Sequence, residues 1–475
     1  MHDPASAALP AAPEPTGFWS AVRDALRGVE HDYTRIPISR AIVLLSIPMV
    51  LEMVMESLFA VVDIFWVSRL GADAMATVGL TESVLMLVSG VAIGLSLAVT
   101  AMVSRRVGEG DLEGAANTAV QTIGVGVLVS IPVAVVGIVW GRDLLRLMGA
   151  SESVIASGWG YTSVILGGSA TMILLYLINA VFRGAGDPAI SMRTLWLANA
   201  INIVLGPFFI FGLGPFPQMG VTGAAVATTI GRGCGVLYQL SALMRKKGRV
   251  AIRRPQIRLQ PEVMARLLRI SGPGVFQFVV ATASWLVLVR IISLSGSDAV
   301  AGYTVTLRIL MFVILPSWGL CNAAATLVGQ NLGAGRPDRA ERSVWQTGLY
   351  NMAYMAVVTV FFLVGSEMVM GFFTSDPGVM RYGVECMRII SYGYIAYAWG
   401  MVMVQAFNGA GDTWTPTIIN LFCYWVFQLP LAWALAQPLG WGVTGVLWAI
   451  FFAETLMTAV AMLAFRRGRW KRKQV

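Results

Sequence analysis

The stretch 184–187 reads Gly184-Ala185-Gly186-Asp187, and 225 residues later the chain reads Gly409-Ala410-Gly411-Asp412. The same offset carries Ser46 and Pro48 onto Ser271 and Pro273, and Gly71, Asp73 and Ala74 onto Gly296, Asp298 and Ala299. It carries Gly108, Gly110 and Ala115 onto Gly333, Gly335 and Ala340, and Gln121-Thr122 onto Gln346-Thr347. After a three-residue slip, Gly220-Val221-Thr222-Gly223 meets Gly442-Val443-Thr444-Gly445. The repeated residues are mostly turn formers, so two copies of one unit are joined end to end.

Composition places that unit in a membrane. Of 475 residues, 57% are hydrophobic and 12% charged, against roughly 25% charged in soluble domains. Apolar runs of spanning length, about 20 residues, recur over 38–66, 76–104, 116–140, 154–182, 190–212 and 221–244. A second set covers 263–293, 299–328, 343–364, 382–408, 415–437 and 440–465. The expectation is an all-α membrane protein with twelve transmembrane helices in two pseudo-symmetric six-helix lobes. Its parts are a tail (1–37), an N-lobe (38–244), a basic linker (245–262), a C-lobe (263–465) and a basic tail (466–475). An even number of spans per lobe points both copies the same way, and two lobes rocking about a shared cleft are the architecture of a parallel-repeat transporter.

Charge sets the orientation. Of the 34 Lys and Arg, 26 fall on the side that holds both termini, and four (Arg69, Arg142, Arg146 and Arg381) on the other. The remaining four, Arg232, Arg290, Arg308 and Arg388, lie within apolar runs. The positive-inside rule puts both termini in the cytoplasm. The net charge of +9 is then a topological signature with an attraction for anionic lipid headgroups, and no nucleic-acid partner is expected. Residues 1–17 are Ala/Pro-rich without an apolar core, so they read as a disordered leader and not as a cleaved signal peptide. Phe18, Trp19, Val22, Leu26 and Val29 recur at helical spacing beside Arg23 and Arg27, the pattern of a short helix on the cytoplasmic face. Cys234, Cys321, Cys386 and Cys423 are scattered without paired spacing and read as small buried hydrophobes.

An ionisable group inside the bilayer costs roughly 2.5 to 3.5 kcal/mol on insertion scales, so each one needs a reason. The first span carries Glu52, Glu56 and Asp63, and at about 100° per residue all three fall within some 40° of one helix face. That face must look into a protein or water-filled interior. Carboxylates crowded on it repel when ionised, which favours proton uptake. The competing reading is that one or two of them simply pair with a buried arginine. Glu82 and Glu454 are weaker candidates, because a carboxylate near a helix end reaches headgroup water. Arg290, Arg308 and Arg388 are expected to pair with carboxylates such as Glu385, or to meet an anionic substrate. Gln277, Arg290, Arg308 and Tyr303 are the second-lobe candidates for lining a substrate cleft.

Other chemistries find no support. Gly-x-Gly-Asp resembles a motif of intramembrane aspartyl proteases, yet its two copies sit at symmetric span ends, where Gly caps a helix and Asp makes a turn. His2 and His31 lie outside the spans, and no phosphate-cradling Gly-Lys loop occurs, so no metal, cofactor or enzyme is expected. Pro48 and Pro207 give the first and fifth spans places to kink.

The stretches VVDIFWVSRLGADAMATVGL (61–80), VFRGAGDP (181–188), AFNGAGDT (406–413), NIVLGPFFIFGLG (202–214), GVTGAAVAT (220–228) and LVGQNLGAG (327–335) together resemble multidrug and toxic compound extrusion (MATE) transporters of the prokaryotic branch, over essentially 38–465. The resemblance implies a V-shaped pair of lobes in the bacterial cytoplasmic membrane, working as one chain. It implies export of small organic, cationic compounds by antiport against H⁺, with Na⁺ as the other coupling ion. Asp63 matches the family's coupling aspartate, and Tyr161, Asn202 and Thr228 match its polar partners. The family's Asn-x-x-x-Asp-Pro is here Asn202-Ile203-Val204-Leu205-Gly206-Pro207, without the second aspartate, so Glu56 or Glu52 stands in as the expected substitute. Gln277 occupies a place where some members have Glu, which biases coupling toward the N-lobe. A lipid or lipid-linked oligosaccharide flippase, an architecture of the same superfamily, is the alternative.

Overall fold

The computed structural model describes residues 17–245 and 248–473; the Ala/Pro-rich leader over 1–16 lies outside the described residues. A short helix α1 (Phe18–Arg27) comes first. The first half is α2 (Ile38–Ser68), α3 (Ala72–Gly108), α4 (Leu112–Leu147), α5 (Glu152–Gly167) running into α6 (Ser169–Ala185), α7 (Pro188–Phe211) and α8 (Val221–Met244). The second half is α9 (Pro261–Ser293), α10 (Ser297–Gly333), α11 (Pro337–Gly371), α12 (Pro377–Tyr392) running into α13 (Tyr394–Gly409), then α14 (Trp414–Asn420), α15 (Leu429–Ala436) and α16 (Gly442–Arg466). A π-helical turn, Leu421–Gln428, joins α14 to α15. No strand occurs among the described residues.

These helices make twelve spans in two lobes, as the apolar runs predict. Ten of them are long and apolar enough to cross a bilayer by length and composition alone. The other two are α8, which carries Thr228, Thr229, Arg232 and Gln239, and α12–α13, which is interrupted at Gly393. That break repeats the one at Gly168 between α5 and α6, 225 residues earlier. Helices also outrun their apolar runs: α4 continues to Leu147 past a non-helical Trp140 (φ −115°, ψ 17°), because backbone hydrogen bonding continues where side chains turn polar. α2 and α7 pass through Pro48 and Pro207 as continuous helices.

The Gly-Ala-Gly-Asp copies do the same work in each half. Gly186 (φ 89°) and Gly411 (φ 80°) take the left-handed conformation that ends a helix. Asp187 then accepts from the Arg249 backbone N–H at 2.7 Å, and Asp412 pairs with Lys473 Nζ at 3.1 Å. Each aspartate ties down the segment that follows its own lobe. Burial pushes the Asp187 carboxyl up to about 6.

Among the described residues, hydrogen bonds between the two halves lie at the end that carries the termini. Thr326 Oγ1 donates to the Arg183 carbonyl at 3.0 Å and Gln330 Nε2 to the Gly184 carbonyl at 3.0 Å. The segment 31–36 straps this seam: buried Tyr33 donates to the Gly186 carbonyl at 3.1 Å, while Arg336 donates to the Thr34 carbonyl at 2.8 Å and Arg339 to the carbonyls of Tyr33 and Ile36. α1 settles on Ala21 and Ala25, held by an Asp24–Arg40 ion pair of 3.2 Å. Phe18, Trp19 and Leu26 stay exposed on its outer side, the disposition of a helix lying at a membrane surface. Deeper in, α2 packs on α10 and α3 on α9 and α10. The lobes are therefore closed at the basic end.

Two glycines permit that closure. A Cβ on Gly108 would overlap the Gln330 carbonyl oxygen, and one on Gly333 the Arg105 carbonyl oxygen. Gly108→Val should part the lobes at this end at a cost of about 1–3 kcal/mol of overpacking. Spin-label distances between α3 and α10 termini should lengthen, whereas Gly79→Ala, a site with nothing within 4 Å, should leave them unchanged. Equal distances in both variants would refute this seam as the contact that holds the lobes.

Candidate functional site: a charged interior in the first lobe

The carboxylate face of α2 divides into parts with different surroundings. Glu52 is 1% exposed. Its Oε1 accepts from Arg183 Nη1 at 2.9 Å and Asn179 Nδ2 at 3.4 Å. Behind it, Gln239 Nε2 donates to Asn179 Oδ1 at 2.6 Å. Glu52 is thus locked to an arginine, the competing outcome that the sequence leaves open for it, and is a structural anchor more than a free ion-binding group. Glu56, one turn on, is half-buried with neither an ion pair nor a hydrogen bond among the described residues. Both line a cavity of about 170 Å³ with Tyr176, Asn179, Arg183 and Arg232 from the first lobe, closed by Trp318, Asn322 and Gln405 from the second.

Asp63 stands roughly 10 Å farther along the helix than Glu56 and about 16 Å beyond Glu52, at 1.5 Å per residue. The three carboxylates therefore form a ladder and not one cluster. Glu52 and Glu56 are within electrostatic reach of each other, whereas the charges that act on Asp63 are Arg232 and Glu82. Asp63 has no ion pair and no hydrogen bond among the described residues, although it lies largely inside the lobe. Tyr161, 5% exposed, is within reach of Asp63, Glu82 and Arg232 together. Asn202 Nδ2 donates to Thr228 Oγ1 at 2.7 Å, and Thr228 is one helical turn before Arg232 on α8. The four residues matched by resemblance are thus gathered inside the first lobe, with an arginine among them.

That arginine is what sequence reasoning missed. Arg232 lies within an apolar run, which is itself the signal of a functional charge. Arg183 reads as one of the cytoplasmic charges, but its guanidinium turns back into the lobe.

The second lobe has its own chamber of about 190 Å³, lined by Gln277, Tyr397, Asn408, Asn420, Tyr424 and Met457 among others. It shares Ile93, Leu97, Trp318 and Gln405 with the first, so the two chambers adjoin at the lobe interface. Gln277 is therefore in the cleft. Tyr303 is not: it is 2% exposed, packed with Leu288, Ile291 and Cys386 in the second-lobe core. Arg290 and Arg308 are exposed and line neither chamber. Arg290 is near the far end of α9, and Arg308 is in electrostatic reach of Glu82 across the cleft. Arg388 pairs with Glu367 at 2.9 Å, not with Glu385, whose carboxylate accepts from Thr444. Among the described residues, no group of three or more His, Cys, Asp or Glu is placed to hold a metal ion.

The MatE family model matches the chain twice, over 48–208 and 273–434, once in each half and at the offset of the repeat. The probable multidrug resistance protein NorM of Thermotoga maritima is 27% identical over 450 residues, covering 92% of this chain and 94% of its own. A solved structure described as the outward-facing conformation of a multidrug resistance MATE family transporter is 26% identical, with a TM-score of 0.85 over 93% of this chain and 97% of its own. A transporter of the same superfamily from Pyrococcus furiosus, described as having a binding pocket of reverse polarity that suggests a different function, is 26% identical, with a TM-score of 0.86 over 93% and 98% of the two chains. Two copies of the family unit, one per lobe around a shared polar cleft, establish that this chain belongs to the MATE family of multidrug efflux transporters.

Proposed function

We propose that the protein exports small organic cations from the bacterial cytoplasm by alternating access, in exchange for H⁺ entering at Asp63, with Na⁺ as the other candidate ion. It is placed in the cytoplasmic membrane with both termini inside, as its charge distribution favours, and works as a single chain without a cofactor. The observation that carries the reading is Asp63 itself: a carboxylate inside the first lobe, free of ion pairs, facing Arg232 and Tyr161.

The charges suggest how exchange works. Glu52 and Arg183 cancel each other. With Glu82 answered by Arg308 from the second lobe, Asp63 and Glu56 oppose Arg232, so the first-lobe interior carries an excess negative charge that attracts a cationic compound. Proton uptake by Asp63 from the end opposite the strapped seam removes one carboxylate, Arg232 then balances Glu56, and the hold on a cation weakens. Flat Trp318 and Tyr176 beside the cavity suit an aromatic cation by cation–π contact. Closing the far end and opening the strapped seam would return the site to the cytoplasm.

Asp63→Asn should insert and fold like the wild type yet abolish ion-driven efflux of a cationic dye from cells or liposomes. Unchanged efflux by that variant would sink the scheme. Separately imposed H⁺ and Na⁺ gradients identify the ion.

Arg183→Ala should destabilise the protein by about 3–5 kcal/mol, because Glu52 would be left buried and uncompensated. The double variant Arg183→Ala with Glu52→Gln should recover most of that loss in thermal melting in detergent. If the two single effects simply add, the pair is not the anchor described.

A further inference from the structure

The exchange scheme counts Glu82 as balanced by Arg308, yet the two charges form neither an ion pair nor a hydrogen bond among the described residues, and both side chains are exposed. They stand on different lobes. Glu454 shows what the chain does elsewhere with an acid in a span: its Oε1 accepts from the Tyr424 hydroxyl of its own lobe at 3.3 Å, and its Oε2 is buried. With the three-residue slip Glu454 holds the place of Arg232, and with the main offset Gln277 and Asn408 hold those of Glu52 and Arg183. Charges inside the lobes are thus unrelated by the repeat. Glu82 and Arg308 differ, because the main offset carries Glu82 onto Leu307, the immediate neighbour of Arg308.

α3 and α10, which bear the two charges, are corresponding helices of 37 residues each. Both run down to the strapped seam, where Gly108 meets Gln330 and Gly333 meets Arg105. Close contact between the lobes continues outward on α3 through Gly94, against Val275, to Gly90, against the Phe278 ring; on α10 it continues to Gly319, against Val50. Farther out, Gly79 has nothing within 4 Å, and Met86, Leu87, Met311 and Phe312 are exposed. The two charges lie in this outer part at one level. Glu82 comes ten residues after the start of α3 and Arg308 eleven after the start of α10, about 15–16 Å in from the helix ends at 1.5 Å per residue.

Helical phase turns both toward the space between the lobes. At about 100° per residue, Glu82 falls within roughly 20° of Ile93 and Thr100, and Arg308 within roughly 40° of Leu315 and Asn322. All four of those residues line the first-lobe cavity. An acid and a base therefore project from matched depths of two facing helices, above the cavity and beyond the last close contact of the lobes. Glu82 is also in electrostatic reach of Asp63 and Tyr161 within its own lobe.

We propose that Glu82 and Arg308 are the outer latch of the transporter, positioning residues that meet as an ion pair when the lobes close at the end opposite the strapped seam. While exposed, such a pair contributes little. Closure removes water, and bringing the lobes together over a lone carboxylate or a lone guanidinium would bury an uncompensated charge, whereas bringing them together over both buries a pair. The latch thus favours the closed arrangement only when both partners are present. It presupposes the alternating access proposed above but not Asp63 as the place where the ion enters.

Distances between spin labels at the outer ends of α3 and α10, measured on the full chain in liposomes, test it. The wild type should show a long and a short distance, the short one being the latched form. Glu82→Gln and Arg308→Gln should each lower the ratio of short to long about tenfold, between the effects of breaking an exposed and a buried pair. The double variant should recover part of that loss, because no charge is then left alone. Arg290→Gln, an exposed arginine that lines neither chamber, should leave the ratio unchanged. A ratio that stays fixed in both single variants, adds in the double variant, or moves as far in Arg290→Gln would overturn the latch. A single distance in the wild type under every condition would refute alternating access and take the latch with it. Asp63→Asn should keep both distances, so a failure of the ion scheme alone would show only in efflux.

Discussion

Charge in an apolar slab is the constraint from which this structure follows. A lipid-facing carboxylate or guanidinium is too costly to keep, so every such group in the spans must be paired, neutralised or turned into a shared interior. Glu52 and Arg183 show the first solution, a buried ion pair at 2.9 Å supported by Asn179 and Gln239. Asp63, Glu56 and Arg232 show the third, turned inward around a polar interior. An anchored pair beside unpaired charges gives the first lobe a fixed frame and a variable balance, which is what ion-dependent binding needs.

Duplication explains much of the architecture, and its breaks explain where function concentrates. The helix ends at Gly186 and Gly411, the interruptions at Gly168 and Gly393, and the aspartates that hold the following segment recur in both halves. These features fix chain direction and packing, which both lobes need equally. Charges in the interior do not recur. Asp63 has no acidic counterpart, Arg232 answers to Glu454, and an ion pair answers to two amides. A symmetric scaffold thus carries an electrostatically asymmetric lining.

The seam between lobes is built from a different chemistry than the interior. Backbone carbonyls of the strap over 31–36 receive arginines from the second half, and Tyr33 reaches the first. Such hydrogen bonds contribute about 0.5–1.5 kcal/mol each when neutral and about 1.5–3 kcal/mol when an arginine donates, so the closure is shared among several contacts and not held by one. Tight apposition of Gly108 with Gln330 and of Gly333 with Arg105 makes the contact specific without making it permanent.

Sequence alone determined the twelve spans, the duplication, the turn positions and the membership of Asp63, Tyr161, Asn202 and Thr228 in one lobe, because apolar run length and helix-ending glycines act locally. Helical periodicity also set Glu52, Glu56 and Asp63 on one face. Which of those carboxylates stays free was decided only by tertiary structure, since that depends on Arg183 arriving from α6 and Arg232 from α8, more than a hundred residues away. For the same reason, burial of Glu454 behind Tyr424, the removal of Tyr303 into the core and the pairing of Arg388 with Glu367 were not legible in one dimension. A side chain's surroundings are set by the helices packed against it, and periodicity within one helix carries no information about its neighbours.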